Sequence, residues 1–336
     1  MQNKQAFLKE NYPIHTMTIN APQNRHNPTL WVITEGIAGT ENQCIGVADA
    51  LNVGYEVRKV RLRQPWKTLS PYLGLERSFT FEPTPRPPWP DILITSGRKS
   101  IAAARYIKKK NPETFSVHIQ DPKISASHFD LVAVPEHDRL RGDNVIVTSG
   151  APNKLTQDVL NHAKSEFDFS SLPSPLVAVL IGGDSNAYSM SESITAKLAD
   201  DLARINGSLL ITCSRRTGKK NEALLRKKLD NSSNFFWNGS GVNPYFGILA
   251  WADYILVTAD SASMISESCT TGKPTFMIPL EGGGKRINAF HENLISSRCL
   301  RVFDGHIENY DYLPLNDSQI VANEIKKRYE GFTRAK

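Results

Sequence analysis

The chain has 336 residues, which is enough for about two domains that each bury a hydrophobic core. Hydrophobic residues make up 40% and charged residues 22%, and this balance excludes a disordered chain. The net charge of +6 suits anionic partners such as nucleotides, diphosphates or an acidic membrane surface, but it is too small to indicate nucleic acid binding. No apolar run is long enough to span a membrane.

The N-terminal segment and the cysteines bear on location and cofactors. Residues 1–28 are polar, contain three prolines and lack the apolar core of a secretory signal, so we expect a flexible tail. The four cysteines and eight histidines show neither C-x-x-C nor H-x-x-x-H spacing, which predicts reduced thiols and no metal. These features predict a cytoplasmic protein, which could also bind peripherally at the inner face of the membrane.

Strand and helix patterns alternate through the first half of the chain. Short β-branched or apolar runs predict strands at 30–34, 55–62, 91–95, 115–119, 130–134 and 145–147. Helical spacing of apolar residues predicts helices at 42–51 and 101–110. This alternation predicts a parallel sheet covered by helices, in a first domain that spans residues 29–165.

The same rhythm returns after a serine- and proline-rich linker at 166–175. Strands are predicted at 176–181, 208–212, 235–237, 254–257 and 275–278, and helices at 191–205, 221–229, 245–251, 262–271, 287–297 and 318–329. Residues 176–317 form the predicted second domain, and a C-terminal helix within 318–336 could pack back on the first. The predicted architecture is α/β, with two Rossmann-like domains facing each other across a cleft. Ligands of such sheets bind beyond the carboxyl ends of the strands.

Two strand-end loops of the first domain offer anion-binding chemistry. Gly36 and Gly39 follow the first strand and open a helix, where backbone amides can approach a ligand. The pattern is G-x-x-G, and no acidic residue follows the second strand, so NAD is disfavoured. Residues 96–100 (Ser-Gly-Arg-Lys-Ser) bring two cations and two hydroxyls to a helix start, as in a phosphate pocket. The structural alternatives are a tight glycine turn and a solvated basic helix start.

Two further loops of this domain carry titratable side chains. Asp121 follows the strand at 115–119, and Glu136, His137 and Asp138 follow the strand at 130–134. An imidazole beside carboxylates could act as a general base with an orienting partner. Capping of polar loops is the alternative explanation for the same residues.

The second domain has three strand-end loops suited to a nucleotide diphosphate. Residues 182–185 (Gly-Gly-Asp-Ser) form a glycine-rich turn, and residues 214–217 (Ser-Arg-Arg-Thr) supply two guanidinium groups, which pair well with phosphate. Glu267 lies one turn into the helix that follows the strand at 254–257, where its carboxylate could bind a ribose diol. The alternatives are surface charge for the arginines and a helix-capping acid for Glu267.

In combination, these motifs resemble one protein family. They lie at 36–43, 120–122, 135–138, 142–145, 150–153, 182–185 and 214–217, and they continue in the segments 243–257, 260–267 and 271–274. The C-terminal segments are similar to the nucleotide-sugar half of GT-B glycosyltransferases, such as the peptidoglycan N-acetylglucosaminyltransferases. The chain as a whole, from about residue 31 to 303, resembles the family named after the plant elongated-mitochondria fission factor, which has many bacterial members. It departs from the family at Thr40, where histidine is more usual.

The resemblance implies a GT-B fold that binds a UDP-linked sugar in the second domain and an acceptor, such as a lipid-linked phosphate, beside the first. The implied nucleotide-sugar ligands are Gly182, Gly183, Asp184, Ser185, Ser214, Arg215, Arg216, Thr217, Asp260, Ser261, Ser263, Met264 and Glu267. The implied acceptor-side residues are Gly36, Gly39, Thr40, Asn42, Gln43, Ser96, Gly97, Arg98, Lys99 and Ser100.

Three functions remain open from the sequence. A glycosyltransferase needs both the diphosphate loops and a polar acceptor loop, and a nucleotide-sugar epimerase needs the same donor site with carboxylates such as Glu136 and Asp121 across the cleft. A non-catalytic membrane-recruitment protein needs instead an exposed apolar or basic surface, and only the lysines at 108–110 suggest one. The fission-related family name fits this third function.

The order of preference for an acid/base residue follows from the reference pKa values. His137 and Glu136 come first, Glu41 next and Asp121 last, since the ordinary pKa of histidine lies nearest to neutrality. No Asp-x-Asp pair is present to hold a divalent ion, so the arginines and helix N-termini are expected to neutralise the diphosphate without metal. The sugar nucleotide is then a substrate, and no cofactor is expected.

Overall fold

The computed structural model describes residues 27–72 and 76–334, so the predicted N-terminal tail lies almost entirely outside the described residues. The first half contains strands β1 Leu30–Thr34, β2 Tyr55–Lys59, β3 Arg61–Leu62, β4 Phe81–Glu82, β5 Ile92–Ser96, β6 Phe115–Ile119, β7 Leu131–Pro135 and β8 Val145–Thr148. Its helices are α1 Ala38–Leu51, α2 Trp66–Leu69, α3 Ser100–Lys110 and α4 Gln157–Glu166.

The second half contains strands β9 Leu176–Ile181, β10 Tyr188–Ser189, β11 Ser208–Cys213, β12 Phe235–Phe236, β13 Tyr254–Thr258, β14 Thr275–Ile278, β15 Glu281–Gly282 and β16 Arg301–Val302. Its helices are α5 Glu192–Leu202, α6 Gly218–Leu229, α7 Tyr245–Trp251, α8 Ala262–Thr270, α9 Lys285–Ser296 and α10 Asp317–Arg334.

Each half builds one six-stranded parallel sheet. The strand orders are β2-β1-β5-β6-β7-β8 and β12-β11-β9-β13-β14-β16, with every pairing parallel. The central strands β1, β5, β6 and β9 are buried along their whole length, as expected for parallel strands covered by helices on both faces. This architecture confirms the predicted pair of Rossmann-like α/β domains.

Several element boundaries differ from the prediction. The strand predicted at 55–62 is interrupted at Val60, and its second part pairs antiparallel with β4 outside the main sheet. Helix α1 begins at Ala38 rather than at residue 42, so it starts closer to the glycine turn. Helix α4 was not predicted. Thr156 caps it by accepting a hydrogen bond from Val159 N at 3.2 Å, a signal that the sequence does contain.

Two helices link the halves. Helix α4 packs against α7, and its Leu160 belongs to a core of the second domain. Residues 157–165 of this helix lie in the range predicted for the first domain, and Glu166 lies in the predicted linker. Helix α10 packs against α1 and buries Val321, Ala322 and Ile325 in the first domain's core. The chain therefore crosses from the first domain to the second after β8 and returns at α10.

No helix among the described residues is long and apolar enough to cross a membrane.

Candidate functional site

The loop after β9 lies against the loops after β11 and β13. A Cβ atom on Gly182 would come within 2.1 Å of Oδ1 of Asp260. A Cβ atom on Gly183, which has a φ of +134°, would come within 2.2 Å of the carbonyl oxygen of Arg216. Only glycine permits both approaches, so the glycine pair brings three strand ends together at one edge of the second sheet.

Hydroxyl groups from the adjacent loops hold this turn in place. Ser214 Oγ and Thr217 Oγ1 both donate to the carbonyl oxygen of Gly182, each at 2.6 Å. The amide of Gly182 donates in turn to Thr258 Oγ1 at 2.7 Å. Two of the residues predicted to bind the diphosphate thus donate to the backbone of the glycine turn.

Asp184 and Ser185 shape the exposed continuation of the turn. Oδ1 of Asp184 accepts a hydrogen bond from Met190 N at 2.8 Å, and Ser185 Oγ accepts one from Tyr188 N at 3.0 Å. These bonds direct the chain into the β10–β15 pair. Both residues are exposed and can accept further hydrogen bonds from a ligand.

The two adjacent arginines have different environments. Arg216 forms an ion pair with Asp260, whose side chain is completely buried and whose Oδ1 has no hydrogen-bond partner. Arg215 is exposed and forms no ion pair with any other described residue. Arg216 therefore joins the β11 and β13 loops, and Arg215 is the guanidinium left available to an anion.

Glu267 lies on α8, the helix that follows the β13 loop, and is 6% exposed. Its Oε2 accepts a hydrogen bond from the Tyr245 hydroxyl at 2.6 Å. Burial raises the pKa of Glu267, while the Tyr245 hydrogen bond and the charge of Lys154 act in the opposite direction. Tyr245 thus fixes one carboxylate oxygen of Glu267.

Helix α8, which carries Glu267, begins beside the first domain. Ser261 caps it by accepting a hydrogen bond from Met264 N at 3.4 Å. A Cβ atom on Gly39 would lie 3.7 Å from Ser263 Oγ, so the starts of α1 and α8 face each other. Residues predicted to lie on opposite sides of the cleft are therefore neighbours.

The first-domain loops predicted to face an acceptor also meet each other. Gly36 and Gly97 adopt positive φ values of +84° and +83°, and a Cβ atom on Gly97 would lie 3.4 Å from Thr40 Cγ2. Ser100 Oγ donates to the carbonyl oxygens of Ser96 and Gly97, each at 2.8 Å. The G-x-x-G turn and the 96–100 loop thus form one continuous surface.

Charges on this surface are largely paired. Lys99 Nζ lies 2.8 Å from Glu35 Oε2, and Lys59 Nζ lies 3.9 Å from Glu41 Oε1. Arg98 is exposed and forms no ion pair with another described residue. The 96–100 loop therefore offers one available guanidinium rather than the two cations that its sequence suggested.

Two polar atoms of this region are buried without a hydrogen-bond partner, Glu41 Oε2 and Ser96 Oγ. Gln43, by contrast, accepts a hydrogen bond from Gln120 Nε2 at 3.0 Å, and Asn42 is half-buried in the same turn of α1. Unpartnered buried polar atoms are uncommon in folded proteins, and they mark places where a ligand or water supplies the missing bond.

The Pro-Glu-His-Asp turn after β7 contacts the second domain directly. Asp138 is 4% exposed and forms two 2.7 Å contacts with the guanidinium of Arg286, one to each carboxylate oxygen. The His137 ring packs edge-on against Phe290, with ring centroids 5.4 Å apart. Both partners lie on α9, so this turn joins the two domains across the cleft.

His137 itself has features of a base and of a packing residue. Burial lowers its pKa, and the charge of Arg286 acts in the same direction, whereas Asp138 opposes the shift. Its Nδ1 is buried and has no hydrogen-bond partner. The lowered pKa favours the neutral imidazole, and its Nδ1 makes no hydrogen bond to any described residue.

Glu136 and Asp121, two of the three other candidate bases, differ from His137. Glu136 is exposed, and its backbone, rather than its carboxylate, is hydrogen-bonded to its neighbours. Asp121 accepts hydrogen bonds from Lys123 N at 2.8 Å and from Lys123 Nζ at 2.5 Å. Burial alone would raise the pKa of Asp121, but the Lys123 hydrogen bonds and the charge of Arg286 lower it overall. Asp121 is therefore a weaker base than an ordinary aspartate.

The contribution of α9 was not predicted from the sequence. Arg286, Phe290 and His291 all approach the cleft from this helix, which follows a loop with positive φ at Gly282 and Gly283. The sequence does contain a signal for this contribution, because residues 282–286 (Gly-Gly-Gly-Lys-Arg) follow shortly after the strand predicted at 275–278. Glycines and cations after a strand are also the pattern that predicted the other binding loops.

These observations define a two-domain Rossmann-like protein of the GT-B type, with glycine-rich strand-end loops of both sheets meeting at one cleft. The family model described as Mitochondrial fission ELM1 matches residues 38–329, and the chain belongs to that family.

Three relatives illustrate what this chain is similar to. The Mitochondrial fission protein ELM1 of Arabidopsis thaliana is 34% identical over 71% of this chain, and the match spans 64% of the plant protein. The uncharacterized protein RP120 of Rickettsia prowazekii is 26% identical and is matched over 97% of its length, with 88% of this chain covered. The UDP-N-acetylglucosamine–N-acetylmuramyl-(pentapeptide) pyrophosphoryl-undecaprenol N-acetylglucosamine transferase of Porphyromonas gingivalis is 31% identical. The match covers 59% of this chain and 52% of that protein.

Among solved structures, Acinetobacter baumannii MurG has a similar fold, with a TM-score of 0.48 and 12% sequence identity. The superposition covers 91% of this chain and 92% of the MurG chain. The UDP-GlcNAc 2-epimerase of Methanocaldococcus jannaschii has a TM-score of 0.47 at 11% identity, with 89% and 99% covered. Similarity at this level supports no inference about activity.

Proposed function

We propose that this protein is a GT-B-type glycosyltransferase that uses a UDP-linked sugar and transfers the sugar to a lipid-linked or other cell-envelope acceptor. The observation that carries the proposal is the convergence of the loops after β9, β11 and β13 at one sheet edge. That edge combines the close-packed Gly182–Gly183 turn with the exposed Arg215, and the helix that follows the β13 loop carries the buried Glu267.

Each donor group has a distinct role in this proposal. Arg215 pairs with the diphosphate, and the amide of Gly183 donates to the same phosphates, since the amide of Gly182 is already bonded to Thr258 Oγ1. Glu267, oriented by Tyr245 at 2.6 Å, accepts hydrogen bonds from the ribose hydroxyls. The name of the Porphyromonas relative makes UDP-N-acetylglucosamine the first donor to test.

His137 is the first candidate for the base that takes the acceptor's proton. Its lowered pKa keeps the imidazole neutral, and it lies where the first domain meets α9 of the second. If it acts as the base, His137→Ala should reduce turnover about 10²- to 10⁴-fold with unchanged nucleotide affinity. Unchanged turnover would make the turn a purely structural link and direct attention to Glu41.

The leaving diphosphate is neutralised in this proposal by Arg215 and by the helix N-termini after the strand-end loops, without a metal ion. Among the described residues, no group of three or more His, Cys, Asp or Glu side chains is placed to hold one. Transfer activity should therefore persist in EDTA. Activity lost in EDTA and restored by magnesium or manganese would contradict this part of the proposal.

Thermal unfolding with added nucleotides tests the donor site directly. UDP at about 100-fold excess over its dissociation constant should stabilise the protein by about 2.7 kcal/mol. Arg215→Ala and Glu267→Gln should each reduce this stabilisation, whereas uridine should show little dependence on Arg215. Lys227→Ala, which removes an exposed cation from the far end of α6, is the matched control. A wild-type protein that no nucleoside diphosphate stabilises at millimolar concentration would refute the donor assignment.

A further inference from the structure

Between β2 and β5 the chain leaves the first sheet, and this segment covers the α3 side of the domain. We call residues 61–72 and 76–90 the outer segment. It contains the antiparallel β3–β4 pair, the single turn of α2 and a 3-10 turn at Ser78–Thr80. Phe81 anchors it by packing against Tyr106 of α3, with ring centroids 5.1 Å apart, and Arg105 donates to the carbonyl oxygen of Pro71 at 2.7 Å.

The outer segment exposes large apolar side chains. Leu69, Tyr72 and Phe79 are 41%, 61% and 55% exposed. The rings of Trp66 and Phe79 pack edge to face at 5.1 Å, so α2 and the 3-10 turn form one continuous patch. Several large apolar groups grouped together on a surface indicate an interaction site, whereas scattered single ones do not.

An open cavity of about 470 Å³ extends this patch toward the end of α3. Phe79, Trp89 and Tyr106 contribute aromatic walls, and Arg86 and Lys110 contribute cations. Helix α3 begins at the acceptor-side loop and ends at this cavity. Its 11 residues place the cavity about 16 Å from that loop, outside the cleft.

The outer segment carries more positive than negative charge. Its only carboxylates are on Glu76, which lies 3.6 Å from Arg105 of α3, and on Glu82, which lies 3.7 Å from Arg63. Four further cations of the outer segment form no ion pair with any described residue: Arg61, Lys67, Arg77 and Arg86. The patch therefore presents uncompensated positive charge around exposed aromatic rings.

We propose that the outer segment docks this protein on the surface of a membrane that contains anionic lipids. Trp and Tyr rings favour the boundary between headgroups and acyl chains, and Lys and Arg side chains reach the anionic headgroups from beside them. The segment has only short elements rather than a long amphipathic helix, so the binding is peripheral and reversible. The basic surface predicted at residues 108–110 is weaker than its sequence suggested, because Lys108 is bound to Asp130 at 2.7 Å.

Co-sedimentation of the full chain with vesicles tests this proposal. We expect binding to phosphatidylcholine vesicles that contain phosphatidylserine, little binding to pure phosphatidylcholine, and loss of binding at high salt. A triple variant, Leu69→Ser/Tyr72→Ser/Phe79→Ser, should reduce binding at least about tenfold, as should Lys67→Glu/Arg77→Glu/Arg86→Glu. The matched control is Val242→Ser/Leu313→Ser, because these second-domain residues are 74% and 86% exposed.

The outcomes separate this surface from the donor site. Variants that still melt as the wild type and still respond to UDP, but no longer bind anionic vesicles, support the proposal. Unchanged vesicle binding in both triple variants would overturn it. A second result would also overturn it: a wild-type protein that binds no vesicles but forms a dimer, with the dimer lost in the Leu69/Tyr72/Phe79 variant. The patch would then be a protein interface.

Discussion

The strand-end loops of the two domains differ in how far their polar groups are satisfied. In the second domain, Ser214, Thr217 and Thr258 are bonded to the backbone of Gly182 within about 2.7 Å. In the first domain, Ser96 Oγ and Glu41 Oε2 are buried without partners. The glycine turn of the second domain is thus held by its own hydrogen bonds, although Asp260 Oδ1 nearby also lacks a partner, whereas the first-domain loops predicted to face the acceptor leave two buried atoms for a ligand or water to satisfy.

The largest effect is expected where the donor-side loops touch most closely. In Gly183→Ala the new Cβ would meet the carbonyl oxygen of Arg216 at 2.2 Å, and the residue would keep an unfavourable φ of +134°. Because the obstacle is backbone, it cannot move aside as a flexible side chain would. We expect a loss of about 2–4 kcal/mol in the free energy of unfolding, measured by urea denaturation.

Gly54→Ala provides the matched control for this change. A Cβ atom on Gly54 would have no heavy atom within 4 Å, and the residue has no positive φ, so its substitution should leave stability nearly unchanged. If Gly183→Ala were as stable as Gly54→Ala, the close contact between the β9 and β11 loops would be absent in solution.

A second, smaller effect should distinguish the adjacent arginines. Arg216→Ala leaves the carboxylate of Asp260 buried without its cation, at an expected cost of about 2–3 kcal/mol in unfolding free energy. Arg215→Ala removes an exposed cation and should change stability by less than about 0.5 kcal/mol while weakening UDP binding.

The pair of changes also tests how Arg216 works. In the double variant Arg216→Ala/Asp260→Ala, much of the stability loss should be recovered, because no buried charge remains. Equal stability losses for Arg215→Ala and Arg216→Ala would show that the ion pair with Asp260 does not hold the loops together.

The arginine pair also illustrates how far prediction from the sequence extends. Alternating strand and helix patterns predicted both sheets, because a parallel strand buried on both faces has a continuous apolar sequence. The same patterns located the loops that follow Ser96, Ile181 and Cys213, since strand ends follow directly from strand positions. They could not assign Arg215 and Arg216 to different roles, because that depends on which one reaches Asp260, 44 residues later in the chain.

The outer segment and the contacts made by α9 were harder to predict, although the helix itself was predicted at 287–297. The outer segment has only short elements and many prolines, so no periodic pattern indicates which aromatic rings face solvent. The contacts of Arg286 with Asp138 and of Phe290 with His137 join residues about 150 positions apart, from different domains. Such contacts are set by the domain arrangement rather than by local sequence.

The smallest expected effect is a pH dependence at the domain boundary. Burial lowers the pKa of His291 to about 4, the backbone of Ala259 acts in the opposite direction, and the charge of His137 lowers it further. Its Nδ1 lies 3.5 Å from the Tyr188 hydroxyl, and its Nε2 is buried without a partner. The folded protein therefore favours the neutral imidazole, whereas the unfolded chain takes up a proton below about pH 6.5.

Stability should consequently fall as the pH is lowered from about 6.5 toward 4, because the unfolded state binds more protons in that range. Because solvent screening near the cleft reduces the effect, we expect His291 to contribute about 1 kcal/mol between about pH 7 and about pH 5, measured by urea denaturation at each pH. His291→Gln should flatten the profile by that amount, and His162→Gln, which changes a histidine whose side chain is 76% exposed, should leave it as in the wild type. If the stability profiles of His291→Gln and the wild type were parallel, the pKa of His291 would be the same in the folded and unfolded protein. His291 would then be accessible to water in the folded state, and its burial beside His137 would be absent in solution.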